Sequence, residues 1–273
     1  MKAKGKALVT GASRGIGRAT ALALAQHGFE VWATMRDPAR GAELAAAHEG
    51  IRVVELDVTR PETIVMPDGL RVLVNNAGAD DGHLPFEHDS LETWRQVFET
   101  NFFGLAAVTQ AAIPALRASG GGVIANVTSI SVLAPVPFYA LYRASKAAVA
   151  ALGESLRCEL APFGIRLLEV LPGPVDTDMF AASGREPRAM DFPDYREAAA
   201  FGHAGRLSVE SAKATVASAA ERIVAAVLDD AAPLKVSCDS LGDAMLQSWR
   251  AGTEEEYQQS FFPAFVPPAP QKG

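Results

Sequence analysis

Cysteine is scarce: Cys158 and Cys238 are the only two in 273 residues, too few for a disulfide framework or a thiolate metal cluster. The five histidines show no ligand spacing and read as surface or loop residues. Positive charge is in the minority, with 25 Lys and Arg against 32 Asp and Glu and a net charge of −7. No basic run offsets that balance, which argues against a nucleic-acid surface. No apolar run approaches the roughly 18 residues of a membrane span. The apolar stretch after Lys6 ends at Thr10-Gly11, too early for a signal peptide. Cys158 falls within a helical pattern and is expected to be a small buried side chain. These absences predict a soluble, reduced, cytoplasmic protein without nucleic-acid or membrane partners, of a length that suits one large domain.

Short β-rich apolar runs alternate with longer Ala-rich helical patterns. Strands are predicted at 7–9, 31–34, 52–56, 71–74, 123–127, 165–171 and 234–236, and helices at 15–27, 38–48, 90–117 and 140–160. Apolar runs with little polar alternation imply strands covered on both faces, hence a parallel sheet with helical crossovers. The expected architecture is α/β: a doubly wound, Rossmann-type, seven-stranded parallel sheet in a single domain. Residues 59–70, carrying Pro61 and Pro67, leave room only for a turn or a loop. Residues 177–205, with Phe180, Phe192, Tyr195, Phe201, Met179 and Met190, read as a long mobile excursion. The domain is expected to span 1–259. The Pro-rich tail, 260–273, reads as unsuited to a helix or central strand and as draped over a surface or a partner subunit.

The first strand runs into Thr10-Gly11-Ala12-Ser13-Arg14-Gly15-Ile16-Gly17, and a helix follows. Glycines there permit a tight turn and close backbone approach to a diphosphate, and the helix N-terminus supplies N–H donors. Gly11, Ser13, Arg14, Gly15, Ile16 and Gly17 are therefore candidate nucleotide contacts, although the spacing differs from the commoner G-x-G-x-x-G. At the end of the second strand, where a carboxylate would bond a ribose 2′-OH, stand Met35 and Arg36. An arginine there accommodates a 2′-phosphate, and Arg14 is placed to reach the same group. Asp37 precedes Pro38 and suits a helix N-cap. The balance favours NADP(H) over NAD(H).

Tyr142-Arg143-Ala144-Ser145-Lys146 puts a phenol and an ammonium four apart on one helix face. A phenol ordinarily titrates near pH 10, and a neighbouring ammonium is expected to lower that value and make Tyr142 a usable general acid/base. Ser129 is the candidate hydroxyl for a substrate oxygen. Thr128 competes for that role but, as its neighbour on a strand, points to the opposite face. Tyr139 has Arg143 rather than Lys at four and reads as pocket lining. Asp80-Asp81 reads as a solvated turn. Met179, Phe180, Met190 and Phe192 suggest an apolar substrate lid.

Taken in order, Thr10 to Gly17, Asp57-Val58, Asn75-Asn76-Ala77-Gly78, Asn101, Ser129, Tyr142 to Lys146 and Pro172-Gly173 resemble the short-chain dehydrogenases/reductases over roughly the first 180 residues. Thr34-Met35-Arg36-Asp37 is similar to the branch with 17β-hydroxysteroid and retinol dehydrogenases. The resemblance implies that Asp57 bonds the adenine amino group, helped by the Val58 backbone, and that Asn75, Ala77 and Gly78 line the adenosine side. Pro172, Gly173, Val175 and Thr177 would face nicotinamide and diphosphate. Lys146 would hold the nicotinamide ribose while lowering the Tyr142 pKa, and Asn101 would bend its helix and keep a water in the proton relay.

The expected activity is hydride transfer between NADP(H) and an alcohol/ketone or aldehyde pair, on an apolar and fairly bulky small molecule. Catalysis is assigned to Asn101, Ser129, Tyr142 and Lys146. A homodimer or homotetramer is expected, with Ala144, Ala147, Ala148 and Ala151 allowing close helix approach. Two rival readings stay open: a lyase or isomerase on this fold, and a non-catalytic nucleotide-sensing or scaffold protein. The first usually has another glycine spacing and a larger C-terminal domain; the second tends to lose the Tyr or the Lys.

Overall fold

The computed structural model describes residues 1–81 and 83–267. Seven parallel strands, β1 (Lys6–Val9), β2 (Glu30–Met35), β3 (Ile51–Glu55), β4 (Leu70–Asn75), β5 (Gly122–Val127), β6 (Ile165–Leu171) and β7 (Lys235–Ser237), pair in the order β3-β2-β1-β4-β5-β6-β7. Chain order reverses between β1 and β4, and the crevice at such a switch point is where doubly wound sheets bind nucleotides. Every residue of β5 is buried. On one face Leu24 of α1 (Gly15–Gln26) and Ile223 and Val224 of α8 (Val216–Leu228) pack on Val31, Val72 and Val170. On the other, Val108 and Leu116 of α4 (Leu105–Ala118) and Leu160 of α5 (Ala140–Leu160) cover Leu73, Ile124 and Leu167. Each such burial is worth about 1.5–3 kcal/mol, and cover on both faces is why these strands read as unbroken apolar runs.

Several expectations need correction. The helix predicted over 90–117 is divided into α3 (Leu91–Phe98), a π-helical turn (Glu99–Gly104) and α4. Ser90 caps it, accepting from the Thr93 amide. The helix predicted over 38–48 is a 3-10 turn (Pro38–Gly41) followed by α2 (Ala42–Ala47), and between β3 and β4 there is only a 3-10 turn, Pro61–Thr63, as expected. The excursion over 177–205 is largely helical, with α6 (Asp178–Ser183), a 3-10 turn (Arg188–Asp191) and α7 (Arg196–Ser208). Thr177 caps α6, and α7 turns Ala199 and Gly202 inward, so caps and an Ala-rich face outweigh Pro187 and Pro193.

No element was predicted for α8, for α9 (Ser240–Ala251) or for α10 (Glu254–Gln259). The tail begins with one helical turn, α11 (Phe262–Phe265). Pro263 is tolerated because the first turn of a helix leaves its N–H groups unpaired in any case. Gly205 of α7 sits against the Ala264 carbonyl, so this part of the tail packs on the excursion; the rest of the Pro-rich stretch lies outside the described residues. Cys158, expected to be buried, is exposed.

Candidate active site

The glycine turn after β1 is built around Thr10 and Asn76. The Thr10 hydroxyl accepts from the amides of Asn76 (2.9 Å) and Ala77 (3.0 Å), and Asn76 Nδ2 donates to the carbonyls of Thr10 and Gly11 at 3.0 and 3.1 Å. A Cβ on Gly17 would collide with Asn76 Nδ2 and the Gly11 carbonyl. Gly11 and Gly15 have φ of 65° and 55°, a region that glycine enters without strain. Arg14 occupies the N-cap of α1 and contributes no side-chain cap, so the first N–H groups of that helix remain as donors for an anion. This uncapped, close-approach turn fits the diphosphate of a nicotinamide dinucleotide, with Ser13 and Ile16 supplying further backbone.

Arg36 is exposed at the end of β2. Asp37, exposed beside it, accepts from the Ala39 amide at 3.0 Å through Oδ1, which makes it a cap of the following turn. Arg14 reaches Asp178 at 3.0 Å and so ties the glycine turn to α6. Asp57 is fixed by the shortened crossover: its Oδ1 accepts from the Thr59 amide and hydroxyl at 3.0 and 2.8 Å. Val58 is buried against Gly104, where a Cβ would overlap it. Asn75 is buried and donates to Thr109 and Asn126, each at 2.9 Å. The implied adenosine-lining role therefore does not suit its side chain, and its neighbour Asn76 shapes the nucleotide turn.

The four predicted catalytic residues come together at the C-terminal ends of β4 and β5. Asn101, in the π turn, accepts from the Ala79 amide at 2.7 Å and donates to the Ala79 carbonyl (2.8 Å) and to Ser145 Oγ (2.9 Å). Ser145 in turn donates to the Tyr142 carbonyl at 2.8 Å. Lys146 is buried, donates to the Val127 carbonyl at 2.9 Å and lies 5.7 Å from the centre of the Tyr142 ring. Burial pulls its pKa down to about 8 against the opposing pull of Asp80. The Ser129 hydroxyl accepts from the Ser131 amide at 3.1 Å and pulls the Tyr142 pKa downward. Thr128 is turned into the sheet, donating to the Val170 carbonyl at 3.0 Å.

The expected lowering of the Tyr142 pKa is not what this arrangement gives. Burial raises the phenol above its ordinary range and Asp80 adds to that, while Ser129 works in the opposite sense. Asp80 is also no solvated turn: its side chain is 12% exposed and meets His83 at 3.1 Å. His83 is a loop residue, as expected, and is half-buried. Its ring lies 4.2 Å from that of Tyr139, which stands 6.4 Å from Tyr142. Sequence reading passed over Asp80, two residues after Gly78, because adjacent acids so often mark a solvated turn. It also passed over Arg143, which donates to the carbonyls of Ser131 (2.9 Å) and Val132 (3.2 Å) and pins α5 to the Ser129 turn.

On the far side, the Gly173 amide donates to Asp239 Oδ2 at 2.6 Å, and no Cβ would fit there. Pro172 accepts from the Ile130 amide at 3.0 Å. Val175 is buried and bridges to Ala214, and Thr177 lies beside Gly15. Of the proposed pocket residues, Tyr139 flanks Tyr142, whereas Met179 is exposed and Phe180 lies under the Arg206 guanidinium at 3.8 Å. Phe138 lies 6.2 Å from Tyr195, and Phe192, one of the expected lid residues, stacks on His88 at 4.1 Å. A cleft lined by Arg222, Asp243, Leu246 and Arg250 lies at the β7 edge and contains none of these groups.

Residues 5–188 match the family model described as short chain dehydrogenase. The chain belongs to this family. It is an oxidoreductase with the Rossmann-type fold of its relatives, acting on small molecules. It is 42% identical over 190 residues to an uncharacterized oxidoreductase, YusZ, of Bacillus subtilis, covering 65% of this chain and 67% of that one. A short-chain dehydrogenase of Penicillium ochrochloron is 35% identical over 233 residues, 81% of this chain and 84% of the relative. Among solved structures, a short chain dehydrogenase from Burkholderia cenocepacia in complex with NADP superposes with a TM-score of 0.76 at 29% identity, covering 98% of this chain and all of that one.

Proposed function

We propose that this dehydrogenase interconverts an alcohol and a ketone or aldehyde using NADP(H), with Tyr142 as general acid/base. The observation that carries the reading is the convergence of the Tyr142 phenol with the Lys146 ammonium 5.7 Å from its ring centre, the Ser129 hydroxyl at the end of β5 and Asn101 bonded to Ser145 of the same helix. A bound nicotinamide dinucleotide supplies or accepts the hydride. In reduction Tyr142 gives its proton to the carbonyl oxygen, and Ser129 hydrogen-bonds the same oxygen; in oxidation both roles reverse. Lys146 spends one of its three N–H donors on the Val127 carbonyl, and the others are the means by which it would hold the ribose hydroxyls. Asn101 fixes the Ala79 backbone and, through Ser145, the turn of α5 that carries Tyr142.

NADP(H) rather than NAD(H) is supported by the outward-facing Arg36 and by the capping role of Asp37. The NADP complex of the Burkholderia relative points the same way. A fairly bulky, largely apolar carbonyl compound suits the aromatic ring of Tyr139 beside Tyr142 and the cluster of Phe138, Tyr195 and Phe192 in and near the excursion. The test is turnover of a carbonyl and alcohol panel followed by nicotinamide absorbance, for wild type and Tyr142→Phe. General acid–base catalysis contributes about 10²–10⁴-fold, so the variant should lose that much kcat while still quenching its fluorescence with nucleotide. Equal turnover in the two proteins would overturn the assignment.

A further inference from the structure

The segment from Gly78 to Asp80 passes between the catalytic side chains. Asn101 grips Ala79 through both its amide and its carbonyl. A Cβ on Gly78 would stand 3.4 Å from both Asn101 Oδ1 and Lys146 Nζ, so the chain runs past the head of the lysine with no side chain intervening. The next side chain that can carry charge is Asp80. One carboxylate oxygen is held by His83 Nε2 at 3.1 Å. The other, Oδ1, is fully buried and has no hydrogen-bond partner among the described residues. Leaving a buried acceptor unpaired costs about 1–3 kcal/mol, and such groups call for an explanation.

The titratable groups around this carboxylate are His83 and Asp81 on its own loop, Tyr139 beneath His83, and Tyr142 and Lys146 of α5. Lys146 is the one cation of that set at neutral pH without a histidine's ambiguity, and its only hydrogen bond among the described residues goes to a neutral carbonyl. A buried ammonium in that position requires a compensating negative charge.

We propose that Asp80, held in place by His83, is the counter-charge of the Lys146–Tyr142 pair, a positioning residue that sets the pH range over which the pair works. The proposal rests on the reading of Tyr142 as the acid/base. Asp80 opposes the fall that burial imposes on Lys146, which favours the charged lysine, and it adds to the rise that burial imposes on Tyr142. Loss of the negative charge should move both groups in the same direction, towards ionisation or deprotonation at lower pH.

The experiment compares wild type, Asp80→Asn, Asp80→Ser and Asp80→Glu, with Tyr142→Phe as reference. Tyrosinate formation is followed by ultraviolet difference spectroscopy, the Tyr142 step being the one missing from Tyr142→Phe, and kcat/KM is measured against pH in the oxidative direction. Both neutral variants should shift the step and the rising limb down by about one pH unit, the effect of one nearby charge, while Asp80→Glu keeps the wild-type midpoints. A purely structural role would alter rates or melting without moving the midpoints. Unmoved midpoints, or neutral variants that do not fold, would overturn the proposal. A Tyr142→Phe protein with full turnover would instead remove the acid/base reading beneath it.

Discussion

For the proposed preference for NADP(H), Arg36 carries more weight than any other single side chain. Asp37, the one carboxylate positioned to bond a ribose 2′-OH, spends Oδ1 on the Ala39 amide, and Arg36 is left exposed at the strand end. Arg36→Asp should therefore raise KM for NADPH about tenfold or more, lower it for NADH, and leave the melting temperature unchanged, since the arginine holds no part of the fold. Steady-state kinetics with both nucleotides measures this; a wild type that prefers NADH would defeat the assignment. Motif residues were legible in the sequence because chemistry restricts them: Gly17 has no room for a Cβ, and Tyr142 with Lys146 needs the four-residue spacing. The burial of the Asp80 and Asn75 side chains was not legible, because it depends on which side of a loop or strand each side chain takes, and that is settled by residues such as Asn101 and Thr109, distant in the chain.

Elements meet through buried caps as much as through apolar faces. Asp239 is nearly inaccessible, accepts from the Gly242 amide at 2.8 Å to cap α9, and accepts from the Gly173 amide at 2.6 Å. It thus ties the loop after β6 to the C-terminal helices. Asp239→Ala removes a cap and strands a buried amide, a loss of about 2 kcal/mol or more. Because Gly173 belongs to the proposed nucleotide site, KM for NADPH should rise as well. Thermal unfolding and nucleotide titration check both effects, and Asp239→Asn, which keeps an acceptor oxygen, should recover most of each; loss of stability with unchanged nucleotide affinity would confine Asp239 to the scaffold. Strand positions were readable from their unbroken apolar runs, and α5 from its helical pattern. The excursion was not, since its two prolines pointed to irregular chain while the Thr177 cap and the inward face of α7 made helix.

At the scale of the whole molecule, the switch point between β1 and β4 places the nucleotide turn and the catalytic group on one edge of the sheet, and α5 carries both Tyr142 and a face turned away from it. On that face Ala147, Ala151, Ser155 and Cys158 are exposed, a row of small side chains three and four apart that allows another helix to approach closely. Phe103, next to α4, adds a 55% exposed aromatic ring. The exposure of Cys158, wrong for an isolated core, is what a subunit contact through α5 would leave in one separated chain. We expect a homo-oligomer in solution, with Ala151→Arg reducing its mass by light scattering because a long charged side chain holds the helices apart. A thiol reagent should then label Cys158 several-fold faster in Ala151→Arg than in wild type, while the buried Cys238 stays unreactive in both. If wild type is monomeric, or if Ala151→Arg neither lowers the mass nor speeds labelling, this face of α5 is solvent-exposed surface and the assembly, if there is one, uses another.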